Sequence, residues 1–143
     1  MAYNTAVSTF KVGVYATRQG GSPTYNNTLS GRGTGLRDLD YPVTRTLREI
    51  MGYYAGIRDQ EDTGKATGTL AFNVDMVDGT RFLLGKEGQW LYFEHKIFDG
   101  NTIKLTVKGE ALLESCNPGE DGDVFMIGVN GRLAKDVAYT AEN

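Results

Sequence analysis

Thr67-Gly68-Thr69-Leu70-Ala71-Phe72-Asn73-Val74-Asp75-Met76-Val77 is the stretch on which the fold turns. Leu70, Phe72, Val74 and Met76 recur at every second position, with Thr67, Thr69, Ala71, Asn73 and Asp75 between them. Successive side chains of a strand point to opposite faces, so this period predicts one face packed on a core and one face wetted. Asp78-Gly79 closes the strand.

The alternation recurs on both sides. Upstream, Phe10, Val12, Val14 and Ala16 predict a strand within residues 9–16. From Thr44 to Asp59, Leu47, Glu49, Met51, Tyr53, Ala55 and Ile57 share one face and Arg48, Ile50, Gly52, Tyr54 and Arg58 the other. A helical period also fits residues 45–51, but Gly52 and Gly56 would each cost a helix about 1 kcal/mol relative to Ala, which favours a long strand. Polar Arg58–Lys65 reads as its hairpin loop. Downstream, Thr80–Lys86 reads as one short helix, and Trp90–Phe98 as an aromatic strand turned at Asp99-Gly100. Ile103, Leu105, Val107, Ala111 and Leu113 carry the next strand, opposite Thr102, Lys104, Thr106, Lys108 and Glu110. A turn at Asn117–Gly122 leads to a last strand from Asp123 to about Lys135, and Asp136–Asn143 reads as a polar tail. Between about 17 and 37 the period stops at Gly20-Gly21 and Gly31-Arg32-Gly33-Thr34-Gly35. An insert that long in a compact domain points to a binding loop. The expected fold is mainly β: an antiparallel β-sandwich or half-barrel of six strands with one short α-helix, as a single domain over 1–143.

Composition limits the function classes. With 143 residues, 40% hydrophobic and 23% charged, the chain can bury a core without a metal or disulfide. Its fifteen Lys and Arg are scattered among eighteen acids for a formal charge of −3, so there is no basic stripe of the kind nucleic-acid binders use. No apolar run approaches the ~18 residues of a spanning helix. Met1–Thr5 has neither the basic start nor the apolar run of a signal peptide, so synthesis in a cytoplasm is expected.

Catalytic chemistry has little to stand on. His95 is the only histidine and Cys116 the only cysteine, which is too few for a Cys/His zinc site. No nucleophile motif flanks His95. The acidic run Gly119-Glu120-Asp121-Gly122-Asp123 lacks the spacing of a calcium loop, and Gly31–Gly35 lacks the G-K-[ST] of a phosphate loop. Neither enzyme nor cofactor is expected. What remains is surface: sheets have edges, exposed edges pair with neighbours, and a ring of identical copies removes them.

The order of features over residues 44–135 resembles the tail tube proteins of long-tailed bacteriophages. The resemblance lies in the hairpin around Arg58-Asp59-Gln60-Glu61-Asp62-Thr63-Gly64-Lys65, the strand Gly68–Asp75, the helix at Gly79–Lys86 and the Phe98-Asp99-Gly100-Asn101 turn. It continues through the strand Lys104–Glu114 and the closing Asp123–Gly131 strand. The Gly-rich stretch 17–37 departs from the pattern. The resemblance implies hexameric rings stacked into a hollow tube in a virion tail, assembled in the host cytoplasm with other tail proteins. DNA passes through such a tube without specific binding, because a lumen lined with acids repels phosphate where cations would capture it. On that reading the polar faces of the two best strands, Thr67, Thr69, Asn73, Asp75, Thr106, Glu110 and Glu114, are candidates for the lumen. A solvated outer face fits them equally, and Lys104 and Lys108 on the same face stand against a lumen. Inter-ring or inter-subunit contacts fall to Arg18, Arg32, Arg37, Asp59, Glu61 and Asp62, with 17–37 ordering only on assembly.

Three rivals remain. A capsid decoration protein shares the size and β content. A carbohydrate- or ligand-binding module would use Trp90, Tyr92 and Tyr53-Tyr54 as an aromatic platform. An enzyme based on Glu94 and His95 comes last.

Overall fold

A computed structural model describes the backbone of residues 4–54, 57–135 and 137–141, and the side chains of residues 8–45, 66–135 and 137–141. Its strands are β1 (Asn4–Tyr15), β2 (Asn27–Ser30), β3 (Arg37–Asp40), β4 (Val43–Tyr54), β5 (Ile57–Asp75), β6 (Trp90–Asp99), β7 (Thr102–Asp121), β8 (Val124–Leu133) and β9 (Ala138–Ala141). They hydrogen-bond in the order β2-β1-β6-β7-β8-β5-β3, with β4 added to β5 and β9 to β7. The chain is mainly β, and every described pairing is antiparallel.

The period-two pattern sets the inner face. Phe10 and Val12, Leu70, Phe72 and Val74, Leu91 and Phe93, Val107, Ala111 and Leu113, and Ile127 and Val129 are all buried. Each such Val, Leu, Ile or Phe side chain is worth about 1.5–3 kcal/mol of burial. Phe10 meets the edge of Phe72 with ring centroids 5.3 Å apart, although β6, β7 and β8 separate their strands in the sheet. Tyr41, just past β3, likewise reaches Phe93 at 5.4 Å. The sheet is therefore rolled, a half-barrel rather than a sandwich. Phe93 lies across Gly109, its register partner, and a Cβ there would collide with the ring. A register shift between Leu113 and Ser115 reverses the facing of β7, turning Cys116 inward while Glu114 stays exposed.

Several expectations are corrected. The short α-helix is a single 3-10 turn, Arg81–Leu83, whose next residue Leu84 is already extended (φ −67°, ψ 133°). The segment 17–37 is not structureless: Leu29 pairs with Phe10 and is fully buried, fixing β2 on β1. β7 runs through the expected 117–122 turn to Asp121, because β8 pairs with it along that whole length, and the reversal narrows to Gly122-Asp123. The tail is partly strand, with β9 beside Leu105–Lys108. Residues 58–65 are not a loop but lie on β5, whose backbone pairs with β4, because a polar run can hold a ladder through its main chain alone. The chain reverses between Tyr54 and Ile57, at positions outside the described residues.

Candidate functional site

The longest stretch of the sheet with a single strand neighbour is a ribbon of β4 and β5. β5 pairs with β8 only over Thr69–Asp75 and with β3 only near Ala71 and Asn73. From Gly68 back to Ile57 its partner is β4, in a ribbon running from Val43↔Gly68 to Tyr54↔Ile57. β4 has twelve residues, a length of roughly 40 Å at ~3.4 Å per residue. Among the described residues neither ribbon strand has a second strand paired with it there. A lone two-stranded ribbon is marginal in water. Register shifts after Arg45 and after Glu49 add local twist.

The margins of the rolled sheet, β2 and β3, are joined by residues 31–36 and held together by that turn. Leu36 N–H donates to Ser30 O at 3.0 Å, and Asp75 N–H donates to Thr34 O at 2.8 Å. Arg37 locks the turn in place. Its guanidinium donates to Gly35 O (2.7 Å), Asp75 Oδ1 (2.8 Å) and Asp121 Oδ2 (2.7 Å), and these carboxylates hold its pKa above the ordinary arginine value, the Asp75 bond most of all. Gly35 has φ +65°, and a Cβ on it would strike the Asp75 carboxylate.

A second device straps residues 16–26 to the outside of β6 and β7. Arg18 Nε donates to Glu110 Oε1 at 2.6 Å while its guanidinium lies 5.1 Å from the Trp90 ring centre. Gln19 N–H donates to the Tyr92 hydroxyl at 2.6 Å, and that hydroxyl donates back to Gln19 O at 3.2 Å. Tyr15 and Thr24 are bonded to each other in the same two-way manner. Glu110 is left 3% exposed, with Lys135 Nζ 3.8 Å from its other oxygen.

Where β1 and β6 face β3, the barrel is open. A cavity of about 760 Å³ is lined by Leu36, Leu39, Tyr41, His95, Ile97 and Tyr139, among others, with the exposed Asp38 and Asp40 also on its wall. His95 Nδ1 and the Tyr41 hydroxyl share a 2.9 Å hydrogen bond. Burial pushes the His95 pKa down to about 4 and is the largest cause raising Tyr41 to about 12, so both are neutral near pH 7. His95 lies on the inner face beside Phe10, whereas Glu94, the next residue of the strand, pairs with Lys96 and Lys108 (3.6 Å each). The two cannot act as a dyad. Cys116 is nine residues along β7 from Val107, the register partner of His95, so it lies roughly 30 Å away.

The candidates from sequence are dispersed by this geometry. Thr67, Thr69 and Glu114 are exposed, the last 3.3 Å from Arg132. Asn73 donates to Asp38 (3.0 Å) and Asp75 holds Arg37. Thr106 and Glu110 are buried in the single chain, Glu110 beneath the strap. Arg18 and Arg37 each pair with carboxylates of their own chain. Arg32 is exposed with no ion pair among the described residues. Asp59, Glu61 and Asp62 lie on the ribbon half of β5, with Glu61 opposite Arg48 and Asp62 opposite Leu47. Tyr92 is 4% exposed and Trp90 lies under Arg18, so the expected aromatic platform does not exist on that strand. The cavity around His95 and Tyr41 was missed, because its walls come from β1, β3, β6 and β9 and no local run signals it. Among the described residues no three His, Cys, Asp or Glu gather as a metal site, and no helix is long and apolar enough to cross a membrane.

No protein-family description and no curated protein matches this chain. Solved structures similar to it include a chain from the tail of an empty GTA particle refined with helical methods and C6 symmetry, at TM-score 0.49 and 11% identity over 80% of this chain and 87% of that one. Another is from the virion of a native gene transfer agent particle, at TM-score 0.47 and 13% identity, covering 80% and 89% respectively.

Proposed function

We propose that this protein is a structural subunit of a phage-type virion tail, built as hexameric rings stacked into a tube through which DNA leaves the particle. The observation that carries this reading is the β4–β5 ribbon. The turn 31–36 ties the margins β2 and β3 of the rolled body, while β4 and the first half of β5 extend as a ribbon with no other strand paired to them among the described residues, an arrangement suited to pairing with another chain. The layout resemblance over 44–135 selects a tail tube among assemblies that could use such a ribbon. For the lumen, Thr67, Thr69 and Glu114 remain the open candidates. Arg32 and the ribbon acids Asp59, Glu61 and Asp62 remain the contacts between subunits.

Electron microscopy of the purified chain beside a variant with residues 47–62 replaced by a short turn tests the reading. The full chain should form six-fold rings or hollow tubes, and the shortened chain should stay monomeric with an unchanged β spectrum. Tubes from the shortened chain would refute the role given to the ribbon. Isolated clusters at shell symmetry points would instead favour a decoration protein.

A further inference from the structure

We propose that a second cavity, beside the strap, is a binding site for a dianionic phosphate group, held by Arg18, Lys108 and Lys135. This cavity, of about 460 Å³, lies between strap residues 18–23 and the outer face of β6 and β7, with Lys135 and Ala138 at its side. It shares no lining residue with the cavity around His95.

The charge here is opposite in sign to that of the whole chain, which is −3. The charged lining residues are Arg18, Lys108 and Lys135 against Glu110. Their ion pairs add Glu94, which is shared between Lys108 and Lys96 at 3.6 Å each. Four cations therefore face two carboxylates, an excess of two positive charges. A phosphate monoester carries about −1.5 to −2 at pH 7 and matches that excess. A carboxylate, or a phosphate within a DNA strand, carries about one negative charge and leaves half of it unmet.

The donors are already held in place. Arg18 gives Nε to Glu110 Oε1 at 2.6 Å, and its guanidinium lies 5.1 Å from the Trp90 ring centre. Those two contacts fix the guanidinium plane, while Nη1 and Nη2 have no hydrogen-bond partner among the described residues. A fork held this way presents paired N–H groups to two phosphate oxygens and loses little freedom on binding. The Lys108 and Lys135 ammonium groups stand 3.6 and 3.8 Å from Glu94 and Glu110, beyond hydrogen-bond length, so both have N–H groups to give. Glu110, 3% exposed, is the positioning residue that gathers Arg18 and Lys135. On the strap side a Cβ on Gly20 or Gly21 would meet nothing within 4 Å, so that wall is bare backbone with room beside it. The volume lies within the ~300–1,000 Å³ of small-molecule pockets, enough for a phosphate with a small organic body.

Trp90 is the chain's single tryptophan and lies against Arg18, so its fluorescence reads the site directly. The full chain is titrated at fixed ionic strength with inorganic phosphate and with glycerol phosphate. Glycerol and a short DNA duplex serve as comparisons, and calorimetry records any binding to which the indole is blind. Both phosphates should bind at millimolar concentration or below, and glycerol should not. Lys108→Gln and Lys135→Gln alter side chains that are more than half exposed, so both should melt like wild type. Each should weaken phosphate binding by about tenfold, the loss of one charge-assisted hydrogen bond. Tighter binding of glycerol phosphate would assign the site to a phosphate ester and equal binding to phosphate itself; either result upholds it. No binding of either phosphate at millimolar concentration, or binding that both variants retain in full, would overturn the proposal. So would a chain that binds the duplex and leaves both small phosphates free. Each outcome is read on the subunit whether or not it forms tubes, so the tail reading stands or falls separately.

Discussion

Arg37 Nη1 lies 2.8 Å from Asp75 Oδ1, and this contact ties the turn joining the two sheet margins to the end of β5. The same guanidinium reaches Asp121 at 2.7 Å, so one side chain pins β3, β5 and β7 together. The groups are about one third to one half exposed, which limits each pair to a surface-like value. Arg37→Ala should therefore cost about 1 kcal/mol and lower Tm by a few degrees, measured by thermal denaturation.

Gly35→Ala should cost more. A Cβ there would strike Asp75, and its φ of +65° disfavours any L side chain by about 1–2 kcal/mol. Because the displaced carboxylate is the one Arg37 needs, the double variant Gly35→Ala/Arg37→Ala should lose less than the sum of the singles. A double-mutant cycle checks this coupling.

The His95 imidazole gives stability a pH dependence of definite sign. Its folded pKa is about 4 against an ordinary 6.5. Between those values the unfolded chain takes up a proton that the folded chain refuses, so stability falls as pH drops from 6.5 to 4. The full effect is at most roughly 3.5 kcal/mol. Chemical denaturation at pH 7.5 and pH 4.5 should show a smaller loss for His95→Gln than for wild type; equal losses would contradict a buried neutral ring.

The strap should be anchored in the isolated subunit. Gln19 N–H donates to Tyr92 and Arg18 pairs with a buried carboxylate. Hydrogen exchange at Gln19 should be slow in wild type and accelerated by Arg18→Ala or Tyr92→Phe. Arg18→Ala should also alter Trp90 fluorescence, since the guanidinium leaves the indole face. Fast exchange of Gln19 in wild type would mean that the segment orders only on assembly.

Cys116 should be inert in the folded chain. It is 2% exposed, and burial, with Glu87 nearby, pushes its thiol up to about 11. Thiol titration at pH 8 should register no reaction until denaturant is added.

Alternation alone was enough to place the core strands of this protein. Leu70, Phe72 and Val74, and Ile127 and Val129, are buried because a strand has only two faces and water accepts only one of these sets. The absence of a nucleophile motif around His95 was equally plain from the chain. Sequence could not show that the sheet rolls until Phe10 touches Phe72, or that polar residues 58–65 belong to a strand, because both depend on partners remote in the chain. The same holds for Glu110. Its parity puts it on the outer face, as expected, but only the arrival of Arg18 from a distant loop buries it. Local periodicity thus decided which face each strand turns inward, and long-range closure decided which outward groups are covered, which edges stay open and where the cavity lies. The first depends on side-chain direction within a few residues, the second on contacts that form only once the whole sheet has curled.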